Sequence, residues 1–369
     1  MNFMSSEDQI AYRDSVATML AAEVTAESIR ARWDSPKGID EKLIQQLNEL
    51  GLNTMLVPES CGGLGLSEQD FILLAQECGR VALPEPLVDN VLVANAMLAD
   101  VACSDLVSAK QCEDLLSEVA AGKVMLACGH WINPFINMAD IHQWLLLSQG
   151  DEVHLVESSA VELLPQRSAD PSRRIFKVNW QPKAETRIAN GEAGAGLWRR
   201  ALNRGALGVA AQLIGLSESI LHRAVGFTAD REQFGRPVGS NQAVKHLLAD
   251  CAVSLEFAKP VMARAAYAVG SNSSDADCAV SHAKVAASRA AQLCARHGMQ
   301  VHGAMGYTWE CDLHIWMKRC WAIDKTWGDA GFHKNRIHER LLDPSTLMGA
   351  EHTFTSITSE TFNSQKGAA

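Results

Sequence analysis

The stretch DREQFGRPVGSNQ, Asp230 to Gln242, sets an arginine (Arg231), a bulky aromatic (Phe234) and an amide (Gln242) around a chain break made by Gly235, Arg236 and Pro237. An arginine at such a corner suits a phosphate, because its planar fork of donors matches phosphate oxygens in a charge-assisted pair. The plainer reading makes Arg231 a cation complementing a helix C-terminal dipole and Phe234 a core plug. A second group, Gln300, Val301, Gly303 and Ala304, closes an alanine-rich run. Read by themselves, Gly303 and Gly306 suit a simple turn after a helix C-terminus. His302 beside them reads as a structural histidine.

These groups must be positioned by helices. From Ser5 to about Leu98 the pattern is helical, broken at DSPKG (Asp34–Gly38) and at VPESCGGLGLS (Val57–Ser67). Ser67, followed by Glu68, Gln69 and Asp70, reads as an N-cap with acidic residues in the first turn. Gly62 and Gly63 form a tight loop rather than a phosphate cradle, since no strand precedes them and no Lys-Ser/Thr follows. A second helical zone begins near Ala195, with Leu207, Ala210, Ile214, Leu221 and Val225 on one face and Val244, Leu247, Leu248, Cys251 and Leu255 repeating the habit after the corner. A third run, Ala276 to Gln300, has small residues that permit close packing. Between the helical zones, KVMLACGHW, QWLLLSQGDEVHLVES and RRIFKVNW read as strands, with a hairpin turn at Ser148–Glu152. Trp316, Trp321 and Trp327 suit a core or an interface.

The expected organisation is mostly α: a helical domain over 1–120, a small, shortened β domain over 121–190, a helical bundle over 191–345 and a tail over 346–369. Formal net charge is −10, which disfavours a nucleic-acid binder while leaving room for a small anionic ligand. Ten cysteines lie without CxxC pairs, so neither a zinc site nor a disulfide framework is signalled. The polar start MNFMSSEDQ and the lack of a spanning apolar run point to a cytoplasmic protein with no membrane span.

Together with VPESCGGLGLSEQD, the stretches DREQFGRPVGSNQ and QVHGAMGYTWECDLHIWMKRC resemble the flavin-dependent acyl-CoA dehydrogenase family over about Ala11 to Leu342. The resemblance implies an N-terminal helical domain, a middle β domain and a C-terminal four-helix bundle, with FAD as cofactor. It implies that Arg231 pairs with an FAD pyrophosphate across a subunit interface and that Phe234 packs near its adenosine half. Gln242, Gln300, Val301, Gly303 and Ala304 join these contacts.

The family's Thr-Glu-Pro and Gly-Ser-Asp elements, which hold the flavin ring and the substrate carbonyl, are missing from LACGHWINPFINMAD (Leu126–Asp140). The proton-abstracting Glu is missing too. In KTWGDAGFHKNR, Gly328 falls where it is expected, with Asp329 the adjacent carboxylate; in LNRGALG, the family's alternative place, Gly205 stands there. The resemblance therefore implies one half of an α2β2 dehydrogenase, like those of steroid catabolism, in which a homologous partner holds the flavin ring and the base. The substrate is then an acyl-CoA, with an electron-transfer flavoprotein or similar acceptor. This chain's own pocket is expected to be vacant, with Asp329 capping or pairing locally near Lys334 or Arg336. Two alternatives stay open: a self-sufficient homomeric dehydrogenase with Asp329 as base, and a flavin-free scaffold subunit.

Overall fold

The computed structural model describes residues 3–344 and 346; the tail expected from 346 onward lies, Thr346 apart, outside the described residues. The chain opens with helices α1 (Glu7–Glu23), α2 (Ala26–Trp33), α3 (Glu41–Glu49) and α4 (Glu68–Arg80). A short α5 (Leu87–Asp89) runs through a π-helical stretch, Asn90–Asn95, into α6 (Ala96–Ala102), and α7 (Ala109–Ala120) follows. Capping decides several starts: Asp70 accepts from the Ser67 N–H at 2.8 Å at the head of α4, and Ser6 and Gln9 form a reciprocal box at α1.

The middle segment holds β1 (Leu126–Gly129), β2 (Phe135–Asn137), β3 (Trp144–Gln149), β4 (Glu152–Glu157), β5 (Glu162–Gln166), β6 (Ile175–Asn179) and β7 (Arg187–Ala189). They make two sheets, ordered β1-β3-β4-β7 and β2-β6-β5. The β3–β4 hairpin turns where SQGDE predicts it, pairing Gln149 with Glu152. Between the sheets Ile136, Leu145, Leu147, Val156 and Phe176 form a small separate core.

The last third is α8 (Gly191–Asp230), a two-residue hairpin of β8 (Glu232–Gln233) and β9 (Arg236–Pro237), then α9 (Gln242–Gly270), α10 (Ala276–His302), α11 (Leu313–Ile323) and α12 (Ala330–Leu342). Helix α10 packs against α8, α9 and α12, and α8 also crosses α4. At that crossing a β-carbon on Gly215 would lie closer than 3.0 Å to the Gln76 carbonyl, so only glycine lets the backbones meet. The apolar face read on α8 is buried at Leu207, Ala210 and Ile214, but Val225 is 48% exposed. Val244, Leu247 and Leu248 are only half-buried. The bundle thus opens towards the α8–α9 corner, where a face patterned for burial lacks a cover among the described residues.

Candidate functional site

The corner is built to present its side chains outward. The Arg231 N–H closes α8 against the Phe227 carbonyl at 2.9 Å, and the Arg231 carbonyl accepts from Val238 N–H at 2.8 Å. Between β8 and β9, Phe234 (φ +54°) and Gly235 (φ +77°) both take left-handed geometry. Such a turn favours Asn-Gly, and a bulky side chain there carries backbone strain. Yet Phe234 is fully exposed, which removes the core-plug reading. Arg231 and Gln242 are exposed too, and among the described residues the Arg231 guanidinium has no hydrogen-bond or ion-pair partner.

His302 brings the second group to the same end of the bundle. Its ring stacks on Phe227 with centroids 4.2 Å apart and planes 20° apart. Its Nδ1–H donates to the Gly298 carbonyl at 2.7 Å, and burial pushes its pKa down. His302 is therefore structural and ties the last turn of α10 to that of α8. Gln300, Gly303 and Ala304 are exposed and Val301 is half-buried. Gly303 has φ +60° with open space around it, so conformation rather than crowding requires glycine; its N–H returns to the Gln300 carbonyl. Gln300 and Gly303 open onto a groove of about 1040 Å³ also lined by Arg289, Arg296, Lys325 and Lys334. Four basic side chains thus line one groove on a chain of net charge −10, which suits an anionic group there.

The interior loop departs from expectation. Gly328 has φ +93°, and a β-carbon there would meet Phe332 and His333, so that position does not face Gly205. The residue before it does. Trp327, the largest fully buried side chain, lays its indole on Gly205, where a β-carbon would fall closer than 3.0 Å to ring atoms Cγ, Cδ2 and Cε2. One of the two places expected for a catalytic carboxylate, Gly205, is thus covered by the residue that precedes the other.

Around the ring, Trp327 Nε1 donates to Asp89 Oδ1 at 3.2 Å. His130, from the segment after β1 where the ring-holding elements are missing, lies nearly parallel to Trp327 at 6.4 Å and stacks on Trp198 at 4.8 Å. Burial pushes His130 and His333 down to about 4, so both are neutral. Asp329 caps α12 through Oδ1, accepting from Phe332 N–H at 2.9 Å. That bond holds its pKa below the usual carboxylate range, which weakens it as a proton acceptor. Its neighbours divide differently from expectation: Arg336 pairs with Asp277 at 3.2 Å and Lys334 faces the groove.

Of the three tryptophans, Trp316 and Trp327 are buried, while Trp321 is 42% exposed beside the groove. Sequence reasoning missed His130 and Lys284. Buried Lys284 donates to the Asp324 carbonyl at 2.8 Å and the Gly328 carbonyl at 3.0 Å, and a lone lysine inside the small-residue face of α10 was the signal for it. No helix among the described residues is long and apolar enough to cross a membrane, and no metal-holding cluster occurs among them.

Residues 6–123 match the N-terminal domain and residues 192–342 the C-terminal domain of acyl-CoA dehydrogenases. The chain belongs to the acyl-CoA dehydrogenase family. It is 30% identical over 315 residues to acyl-CoA dehydrogenase IpdE2 of Mycobacterium tuberculosis (strain ATCC 25618 / H37Rv), covering 85% of this chain and 91% of that one. It is 31% identical over 303 residues to acyl-CoA dehydrogenase FadE34 of the same strain, covering 78% and 40%. In fold it is similar to the ChsE4-ChsE5 complex of Mycobacterium tuberculosis, with TM-score 0.82 at 21% identity over 94% of this chain and all of that one. A variant of the Tcur3481-Tcur3483 steroid ACAD gives 0.80 at 23% identity, covering 90% and 97%. The mostly helical, three-part architecture is the family's fold.

Proposed function

We propose that this acyl-CoA dehydrogenase family chain is the contact-lending subunit of a heteromeric α2β2 enzyme that desaturates the α,β-bond of a CoA thioester derived from a steroid side chain or ring fragment. The observation that carries this reading is that neither Gly205 nor Gly328, the two places where the family's catalytic Glu is expected, offers a carboxylate, and buried Trp327 lies on Gly205. Two fold neighbours, the ChsE4-ChsE5 complex and the Tcur3481-Tcur3483 steroid ACAD, bear paired names, the second with the word steroid; they support a heteromer and the substrate class.

FAD, the family's cofactor, supplies hydride acceptance when bound. In this reading Arg231 clamps the pyrophosphate of the flavin held by the partner, with Phe234 against the adenosine half. Gln242, Gln300, Val301, Gly303 and Ala304 complete the contacts from the same bundle end. The proton is taken by a carboxylate of the partner subunit, because the depressed, capping Asp329 is unsuited to it. Electrons leave to an electron-transfer flavoprotein or similar acceptor. The test is co-expression with a homologous subunit that carries the Thr-Glu-Pro, Gly-Ser-Asp and loop Glu elements, followed by a flavin-to-protein ratio. One flavin per pair, and none on this chain alone, is expected; a yellow homomer with one FAD per chain overturns the reading.

A further inference from the structure

We infer that Trp327 is a ligand carried by the chain itself: its indole occupies a latent site shaped for a flat aromatic heterocycle that donates one N–H bond. The inference deepens the proposed subunit role, since it makes the chain's own pocket a plugged site. Gly205 forms its floor, and a β-carbon there would enter the ring. His130 lies 15° from parallel at 6.4 Å on an indole face and is itself backed by Trp198. At one edge, Nε1–H donates to Asp89 Oδ1, a carboxylate whose pKa burial pushes up. Floor, stacking partner and polar anchor are what a pocket offers an aromatic ligand.

The backbone is held in place for this. Trp327 has φ +54°, a region that a bulky residue occupies only where its surroundings impose it. Three bonds impose it: His333 Nε2–H to the Trp327 carbonyl at 2.9 Å, and Lys284 Nζ to the carbonyls of Asp324 and Gly328. A residue that merely filled core volume needs neither a strained backbone nor a buried lysine spanning the turn before it.

Trp327→Gly, in the full chain and in the assembly in which it purifies, tests this. Glycine is chosen because φ +54° costs it nothing, which offsets part of the lost packing. Indole is expected to raise the melting temperature of this variant by several degrees and leave the parent unchanged. Benzofuran, with the same shape and no N–H, is expected to bind about tenfold more weakly. A folded variant that ignores indole, or that binds both probes equally, overturns the inference. If the variant does not fold, Gly205→Ala replaces it: lowering the melting temperature by roughly 10 °C with Trp327 in place and by far less in a Trp327→Leu background supports the plug, and equal shifts in both overturn it. These outcomes are separable from the heteromer reading, whose failure shows only in the flavin-to-protein ratio.

Discussion

Replacing Arg231 with alanine separates a cofactor contact from a structural cation. The guanidinium is exposed and makes no bond within the described chain, and only its backbone closes α8. Truncation therefore leaves folding within about 0.5 kcal/mol, as for an ordinary surface position. In the complex, losing a charge-assisted bond to phosphate costs about 1.5–3 kcal/mol. That is a roughly 10- to 150-fold weaker flavin affinity. The assay is titration of FAD into the deflavinated co-expressed complex, with the melting temperature of both forms recorded. The gap between parent and variant narrows as salt is raised, because an exposed charge pair is screened, and Arg231→Lys recovers part of the loss. Unchanged affinity in an intact complex refutes the reasoning, and an equal loss of stability without FAD returns Arg231 to a structural role.

Asp329→Asn leaves turnover of the complex within a few-fold of the parent, because its carboxylate only caps α12; a loss of a hundredfold or more, with FAD bound, assigns it the base role. Arg204→Met strands buried Glu68, which pairs with it at 2.7 Å, leaves Asp100 with only Arg200 at 2.8 Å, and costs about 3–5 kcal/mol in denaturant unfolding. A cost below about 1 kcal/mol shows that the triad is not a strong stabiliser. Stability falls on acidification: burial lowers His142 and His333 from 6.5 to about 4, so the unfolded chain binds protons first. Their contribution is present above pH 6.5 and lost as pH falls towards 4, on the order of 3 kcal/mol each at full loss. Thermal melts at pH 7.5 and 5 check this, and a flat profile removes it.

The elements were legible where local chemistry is strong. Ser67 with Asp70 marks the head of α4, SQGDE marks the β3–β4 turn, and the small-residue run marks α10. The exposed groups of the corner were legible as residues, and their shared position was not. That depends on the Phe227–His302 stack, a long-range contact between residues which look unremarkable alone. Trp327 was legible only as an aromatic suited to a core. Its place on Gly205 couples two segments that no periodicity links, and a motif search for a missing carboxylate looks past the side chain that replaced it.

Physical reasons connect the two departures. An emptied pocket destabilises a fold by about 24 cal/mol for each Å³ left unfilled, so in the proposed subunit role, with the flavin ring held by a partner, an inward aromatic adds stability. Among the described residues, the five non-glycine residues with positive φ are Ala82, Met138, Phe234, Asn272 and Trp327. The two aromatic ones stand at the outer corner and at the inner loop. Strain of that kind persists only where surrounding structure or function requires it. At Trp327 the requirement is visible in the chain: Gly205 beneath the ring, Asp89 at its edge, and Lys284 with His333 behind the turn. At Phe234 nothing among the described residues buries the exposed ring, and the proposed subunit role places what repays its strain on a neighbouring chain. A buried aromatic at the inner loop and an exposed aromatic at the outer corner are the pair of features that the proposed subunit role calls for.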